Sequence, residues 1–116
     1  MKEKSIVWTL ERARELVAKL WPLLEASGWY CGITGSVLVT GESRKDLDLI
    51  VYPAQVSPKH PLRMADLRRA LRAVGMRPFA TRDRVVSQWR ALGSADEKWV
   101  EVWMAGGRRV DVFVLK

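Results

Sequence analysis

Residues 46–52 read Asp-Leu-Asp-Leu-Ile-Val-Tyr, and Pro53 closes the run. This segment constrains the fold more than any other. Its alternation and its β-branched and aromatic second half predict a strand. In a strand, Asp46, Asp48 and Ile50 share one face, and Leu47, Leu49 and Val51 share the other. The leucine face requires a core on its side of a sheet. The opposite face carries two carboxylates at i and i+2. Their like charges repel, so each is driven to take up a proton or to bind a cation. A hard divalent cation with oxygen ligands, Mg²⁺ or Mn²⁺, resolves that conflict.

A late strand, expected over Arg109–Leu115, repeats the pattern. Asp111 and Phe113 fall on one face, and Val110, Val112 and Val114 on the other. If this strand lies beside Asp46–Tyr52, Asp111 reaches the same cation. Three carboxylates on adjacent strands can hold two ions about 4 Å apart, the arrangement used for in-line phosphoryl transfer. The alternative partner for Asp111 is an arginine of its own strand, Arg108 or Arg109.

Gly35-Ser36 follows another predicted strand, Trp29–Thr34. Glycine lets a backbone approach a phosphate closely, and the N–H groups of a following helical turn favour an anion. The Ser36 hydroxyl adds a donor. Arg44 and Lys45, just before the acidic pair, are candidates to neutralise triphosphate charge.

The remaining elements follow from periodicity. Leu10, Ala13, Leu16, Val17, Leu20, Trp21 and Leu24 form one helical stripe, with Thr9 as N-cap and Gly28 as the stop. Pro22 inside it is expected to kink the helix or split off its last turn. Val37–Thr40 fits either a strand, which propensity favours, or a short helix. Residues 41–45 read as a polar loop, and residues 53–61, with three prolines, as another. Helices are predicted over Leu62–Val74 and Arg82–Leu92. A strand over Lys98–Met104 joins the last one through the hairpin turn Ala105–Arg108.

At 116 residues and 48% apolar composition the chain fits one domain, residues 1–116, with a real core. Most of the six tryptophans are expected to fill it. The net charge of +7 is not spread evenly: residues 59–90 hold nine basic and two acidic residues, while the flanks balance. Such a block attracts phosphate-rich partners, or else it is a solvated helix face. Within it, Arg63, Arg68, Arg69 and Arg72 line the first helix as a candidate acceptor surface. The single cysteine, Cys31, and the single histidine, His60, exclude an internal disulfide and a Cys/His metal cluster. Cys31 lies in an apolar run and is expected to be buried. No apolar stretch is long enough to span a membrane, so a soluble, cytoplasmic chain is expected.

The pattern Gly35-Ser36, nine residues, Asp46-Leu47-Asp48-Leu49, then Arg108-Arg109-Val110-Asp111-Val112, resembles the signature of the nucleotidyltransferase superfamily. That group includes DNA polymerase β, poly(A) polymerases and CCA-adding enzymes. The resemblance covers about residues 29–52 and 108–115. It implies an α+β fold with a mixed, largely antiparallel sheet of about four strands and helices packed on one face. It implies that Asp46 and Asp48 bind two Mg²⁺ or Mn²⁺ ions. Asp111 would bind the catalytic ion and help deprotonate the acceptor hydroxyl. Gly35 and Ser36 would hold the β- and γ-phosphates of an NTP such as ATP. The implied reaction moves a nucleoside monophosphate to a hydroxyl and releases pyrophosphate. Many members carry a further helical domain. Here acceptor and base recognition are expected from residues 53–98, from a second copy of the chain, or from another protein. The acceptor class, RNA or protein, stays open. So do two alternatives on the same fold: a non-catalytic nucleic-acid-binding or regulatory module, and one half of a toxin–antitoxin-type pair with a helical partner protein.

Overall fold

A computed structural model describes residues 5–55, 62–79 and 99–115. The helix expected over Arg82–Leu92, His60 and most of the basic block beyond Arg77 lie outside the described residues. The elements run β1 (Trp8–Thr9), α1 (Leu10–Ala26), β2 (Trp29–Thr34), α2 (Gly35–Thr40), β3 (Glu42–Ser43), β4 (Asp46–Pro53), α3 (Met64–Ala73), β5 (Arg77–Pro78), β6 (Trp99–Ala105) and β7 (Arg108–Val114). The fold is α+β. The main sheet has the order β2-β4-β7-β6-β5. Its β4–β7 pair is parallel, and its other pairs are antiparallel. It has five strands where about four were expected, the extra one being the two-residue β5 at an edge.

Strand alternation divides the sheet into two unlike faces. Leu47, Leu49 and Val51 of β4, with Val110, Val112 and Val114 of β7, are fully buried. They pack with Ala13, Leu20 and Leu24 of α1 and Leu67, Ala70 and Leu71 of α3 into one core. Both long helices therefore cover the same face. At about 25 cal/mol per Å² of apolar surface, each buried leucine stabilises the fold by roughly 2 kcal/mol. Trp8, Trp29 and Trp103 also lie in this core. On the opposite face, Val100 and Val102 of β6 pack with Phe113 in a separate small cluster.

The Thr9 side chain accepts the Arg12 backbone N–H at 3.1 Å and caps α1 as its sequence suggests. The helix runs through Pro22 to Ala26 as a single element, so its last turn is not split off. Pro22 itself is exposed, while Leu20 and Leu24 on either side are fully buried. Those two leucines anchor the chain to the core on both sides of the proline, which cannot donate a backbone hydrogen bond. Helix α3 starts two residues later than predicted and closes with a Schellman motif. There Gly75 N–H donates to the Arg72 carbonyl at 3.0 Å, and Met76 N–H to the Leu71 carbonyl at 3.1 Å.

Residues 37–40 are helical, not extended. Propensity loses because the segment buries only Val37, leaving Leu38 and Val39 56% and 80% exposed. A strand here would have no neighbour to satisfy its backbone, whereas a helical turn satisfies it locally. The expected polar loop at 41–45 contains β3, which pairs with β1 in a separate two-stranded ribbon. At the β6–β7 hairpin, Gly106 and Gly107 both have positive φ, +56° and +77°, as a type I′ turn requires.

Candidate metal centre

The β4–β7 register sets Asp48 opposite Asp111 and Asp46 opposite Arg109. Parallel neighbours lie about 4.8 Å apart, so the acids of two strands meet on the face opposite α1 and α3. Asp46, Asp48 and Asp111 each offer a carboxylate oxygen within 4.8 Å of the others. The adjacency on which Asp111 depended is thus present, in the parallel sense.

Thr34 of β2 stands opposite Asp48 on the other side of β4, and the chain turns into α2 immediately after it. Gly35 makes that turn with φ +72°, a conformation that L side chains rarely adopt. A Cβ at this position would also collide with the Asp48 carboxylate. Glycine is required twice over here, and its backbone lies against the acid cluster. Ser36 is exposed on the first turn of α2.

Two positioning residues escaped sequence reasoning. Ser43 is buried, and its hydroxyl oxygen accepts the backbone N–H groups of Lys45 and Asp46, both at 3.1 Å. It fixes the turn that delivers Asp46 into β4. A serine three residues before the first acid was the available signal. Trp8 is the second. Its buried indole N–H donates to the Arg109 carbonyl at 2.9 Å and ties the β1–β3 ribbon to the start of β7.

Arg109 lies among the acids. Its Nε donates to Asp111 Oδ1 at 2.8 Å, and Nη2 lies 3.5 Å from Oδ2. The same Nε is 3.9 Å from Asp46 Oδ2. Of the two arginines weighed as partners for Asp111, Arg109 is the one that pairs. This bond raises the guanidinium pKa and keeps its charge in place.

One cation does not balance three carboxylates. Burial, then repulsion from Asp46 and Asp111, pushes the Asp48 pKa up to about 6, despite opposing fields from Arg109 and Lys45. Asp46 is also raised, first by burial and then by Asp111, and again Arg109 and Lys45 act against the shift. Lys45 thus adds positive potential at the two aspartates of β4. Arg44 is exposed and forms no ion pair among the described residues. A cluster of oxygen donors short of positive charge, with raised pKa values, fits a hard divalent cation.

The arginines of α3 are not brought to this site. That helix packs on the opposite face of the sheet. Arg68 donates to buried Glu101 at 2.6–3.4 Å, and Trp103 Nε1 donates to the same carboxylate at 3.1 Å. Arg69 pairs with Asp66 at 3.4 Å, Arg72 lies 5.6 Å from the Trp103 ring centroid, and Arg63 is exposed. Burial raises the Cys31 thiol to about 11, so it is no nucleophile at neutral pH. Among the described residues, no helix is long and apolar enough to cross a membrane. No family model matches the chain, and a comparison with curated proteins finds no match.

Proposed function

We propose that this chain is a metal-dependent nucleotidyltransferase, a member of the superfamily whose motif it resembles. One observation carries the reading: a parallel register that converges Asp46, Asp48 and Asp111 on the sheet face opposite α1 and α3, with Gly35 against Asp48. A purely structural acid would gain nothing from two like neighbours. The layout with helices on one face and acids on the other supports the nucleotidyltransferase-like fold.

Asp46, Asp48 and Asp111 would hold the Mg²⁺ or Mn²⁺ ions. When bound, the ions supply charge neutralisation of the triphosphate and lower the pKa of the acceptor hydroxyl. The chain's own groups do the rest. The backbone at Gly35 comes close to the phosphates, and the Ser36 hydroxyl donates to them. Lys45, and Arg44 beside it, lower the cost of bringing a polyanion to an acidic site. Asp111 receives the proton of the acceptor hydroxyl. The acceptor oxygen bonds to the α-phosphorus of the NTP, and the bond to the β-phosphate oxygen breaks, releasing pyrophosphate.

The test is incubation of the chain with Mg²⁺ or Mn²⁺, each labelled NTP, and RNA or protein acceptors. Label transfer with pyrophosphate release is the expected result, and Asp48→Asn abolishes it. Calorimetry that detects no NTP binding in the presence of either metal overturns the assignment.

A further inference from the structure

We infer that Arg109 is a resident counter-cation of the carboxylate cluster, displaced from it when a divalent ion binds. The inference rests on the metal-site reading above and goes beyond it, to the affinity with which the site takes its ion.

Three observations carry it. First, the guanidinium is the only cation hydrogen-bonded to the acids among the described residues: Nε lies 2.8 Å from Asp111 and 3.9 Å from Asp46. It therefore bridges two of the three groups that would ligate metal. Second, a carboxylate oxygen that accepts a guanidinium N–H has lost part of its capacity to coordinate an ion, because both compete for the same lone pairs. Third, the backbone of Arg109 is anchored independently of its side chain. Trp8 Nε1 donates to its carbonyl, and the residue is paired on both sides, with Asp46 of β4 and Met104 of β6. Displacement then needs only side-chain rotation. The strand that carries Asp111 stays in register.

The consequence is a cluster held together without metal, at the cost of metal affinity. Arg109 is a positioning residue in this scheme. It acts on the ligands, and its removal has a sign that distinguishes competition from simple support. If Arg109 only propped up the acids, its loss would weaken metal binding. If it competes, its loss tightens binding.

The experiment titrates MnCl₂ into the full chain and into Arg109→Gln and Arg109→Lys, following free Mn²⁺ by electron paramagnetic resonance. Arg109→Gln should bind Mn²⁺ about 5–10-fold more tightly than wild type, the scale of losing one charge-assisted hydrogen bond. Arg109→Lys, which keeps the charge but not the fork, should fall between. A direct readout in the unmutated chain guards against misfolding of the variants. The Arg109 Nε–H resonance, assigned by its absence in Arg109→Lys, should shift on saturation with diamagnetic Mg²⁺ as its bond to Asp111 is lost. Unchanged or weaker Mn²⁺ binding by Arg109→Gln, with wild type binding normally, overturns the inference and leaves the metal site standing. So does an Nε–H resonance that Mg²⁺ does not move. Absence of Mn²⁺ binding in all three proteins overturns both readings.

Discussion

Replacing Asp48 with asparagine should have opposite effects on stability without metal and with it. The Asp48 pKa rises from 3.8 to about 6 in the fold. A shift of about 2 units corresponds to about 3 kcal/mol between the two protonation states. Asp48 is partly exposed, so solvent screening reduces the usable figure to about 1–2 kcal/mol. The sign follows from the direction. A carboxyl with a raised folded-state pKa favours folding in its protonated form. Its contribution is complete below about pH 4 and is lost as pH rises through about 6. Near neutral pH in EDTA, wild type therefore holds an ionised Asp48 against two like neighbours, and asparagine removes that strain. Asp48→Asn should melt about 4–8 °C higher than wild type at about pH 7.5, and the difference should vanish towards about pH 4. Added Mg²⁺ or Mn²⁺ should reverse the order. An ion at a hundred times its Kd stabilises wild type by about 2.7 kcal/mol, and the variant should gain little. Intrinsic tryptophan fluorescence during thermal melts, with EDTA or with metal across this pH range, reads both effects. A variant less stable than wild type in EDTA near pH 7.5 would refute the electrostatic argument. Equal metal-induced shifts in the two proteins would refute the assignment of Asp48 as a ligand.

Gly35→Ala forces a side chain into a positive-φ turn and against Asp48. It should cost about 1–3 kcal/mol in urea denaturation and weaken Mn²⁺ binding as well. Ser43→Ala removes the acceptor shared by the Lys45 and Asp46 N–H groups, at about 1–2 kcal/mol, and should lower Mn²⁺ affinity although Ser43 is no ligand. Arg68→Ala removes a charged partner of buried Glu101 on the far face of the sheet and should destabilise by about 1–3 kcal/mol. Because it leaves the acid cluster untouched, Mn²⁺ affinity measured well below the melting temperature should equal that of wild type; a changed affinity would show that α3 contributes to the site.

The parts of the site legible in the sequence are those that obey a local rule. Alternation within β4 separates Asp46 and Asp48 from Leu47 and Leu49, and the structure follows it. The same rule places Arg109 on the face of Asp111, since the two are i and i+2 of one strand. The signal for that ion pair was present, and the competing reading of Asp111 as a metal ligand does not exclude it. Both readings describe one electrostatic demand met by different cations. What no local rule conveys is pairing across the chain. Residues 46–53 and 108–114 carry no mark that they run parallel, nor that Asp48 stands opposite Asp111 and not one residue away. A slip by one residue would turn Asp111 into the core and bring a valine to the acids. Register is set globally, by burying Val110, Val112 and Val114 on the same side as Leu47, Leu49 and Val51. Elements of two residues, such as β1, β3 and β5, carry too few side chains for any periodicity, yet β1 supplies the Trp8 contact that anchors Arg109. The apolar face of the sheet therefore determines the geometry of the polar one. The core valines hold the carboxylates close enough to repel, and that repulsion is the demand that the proposed cation would meet.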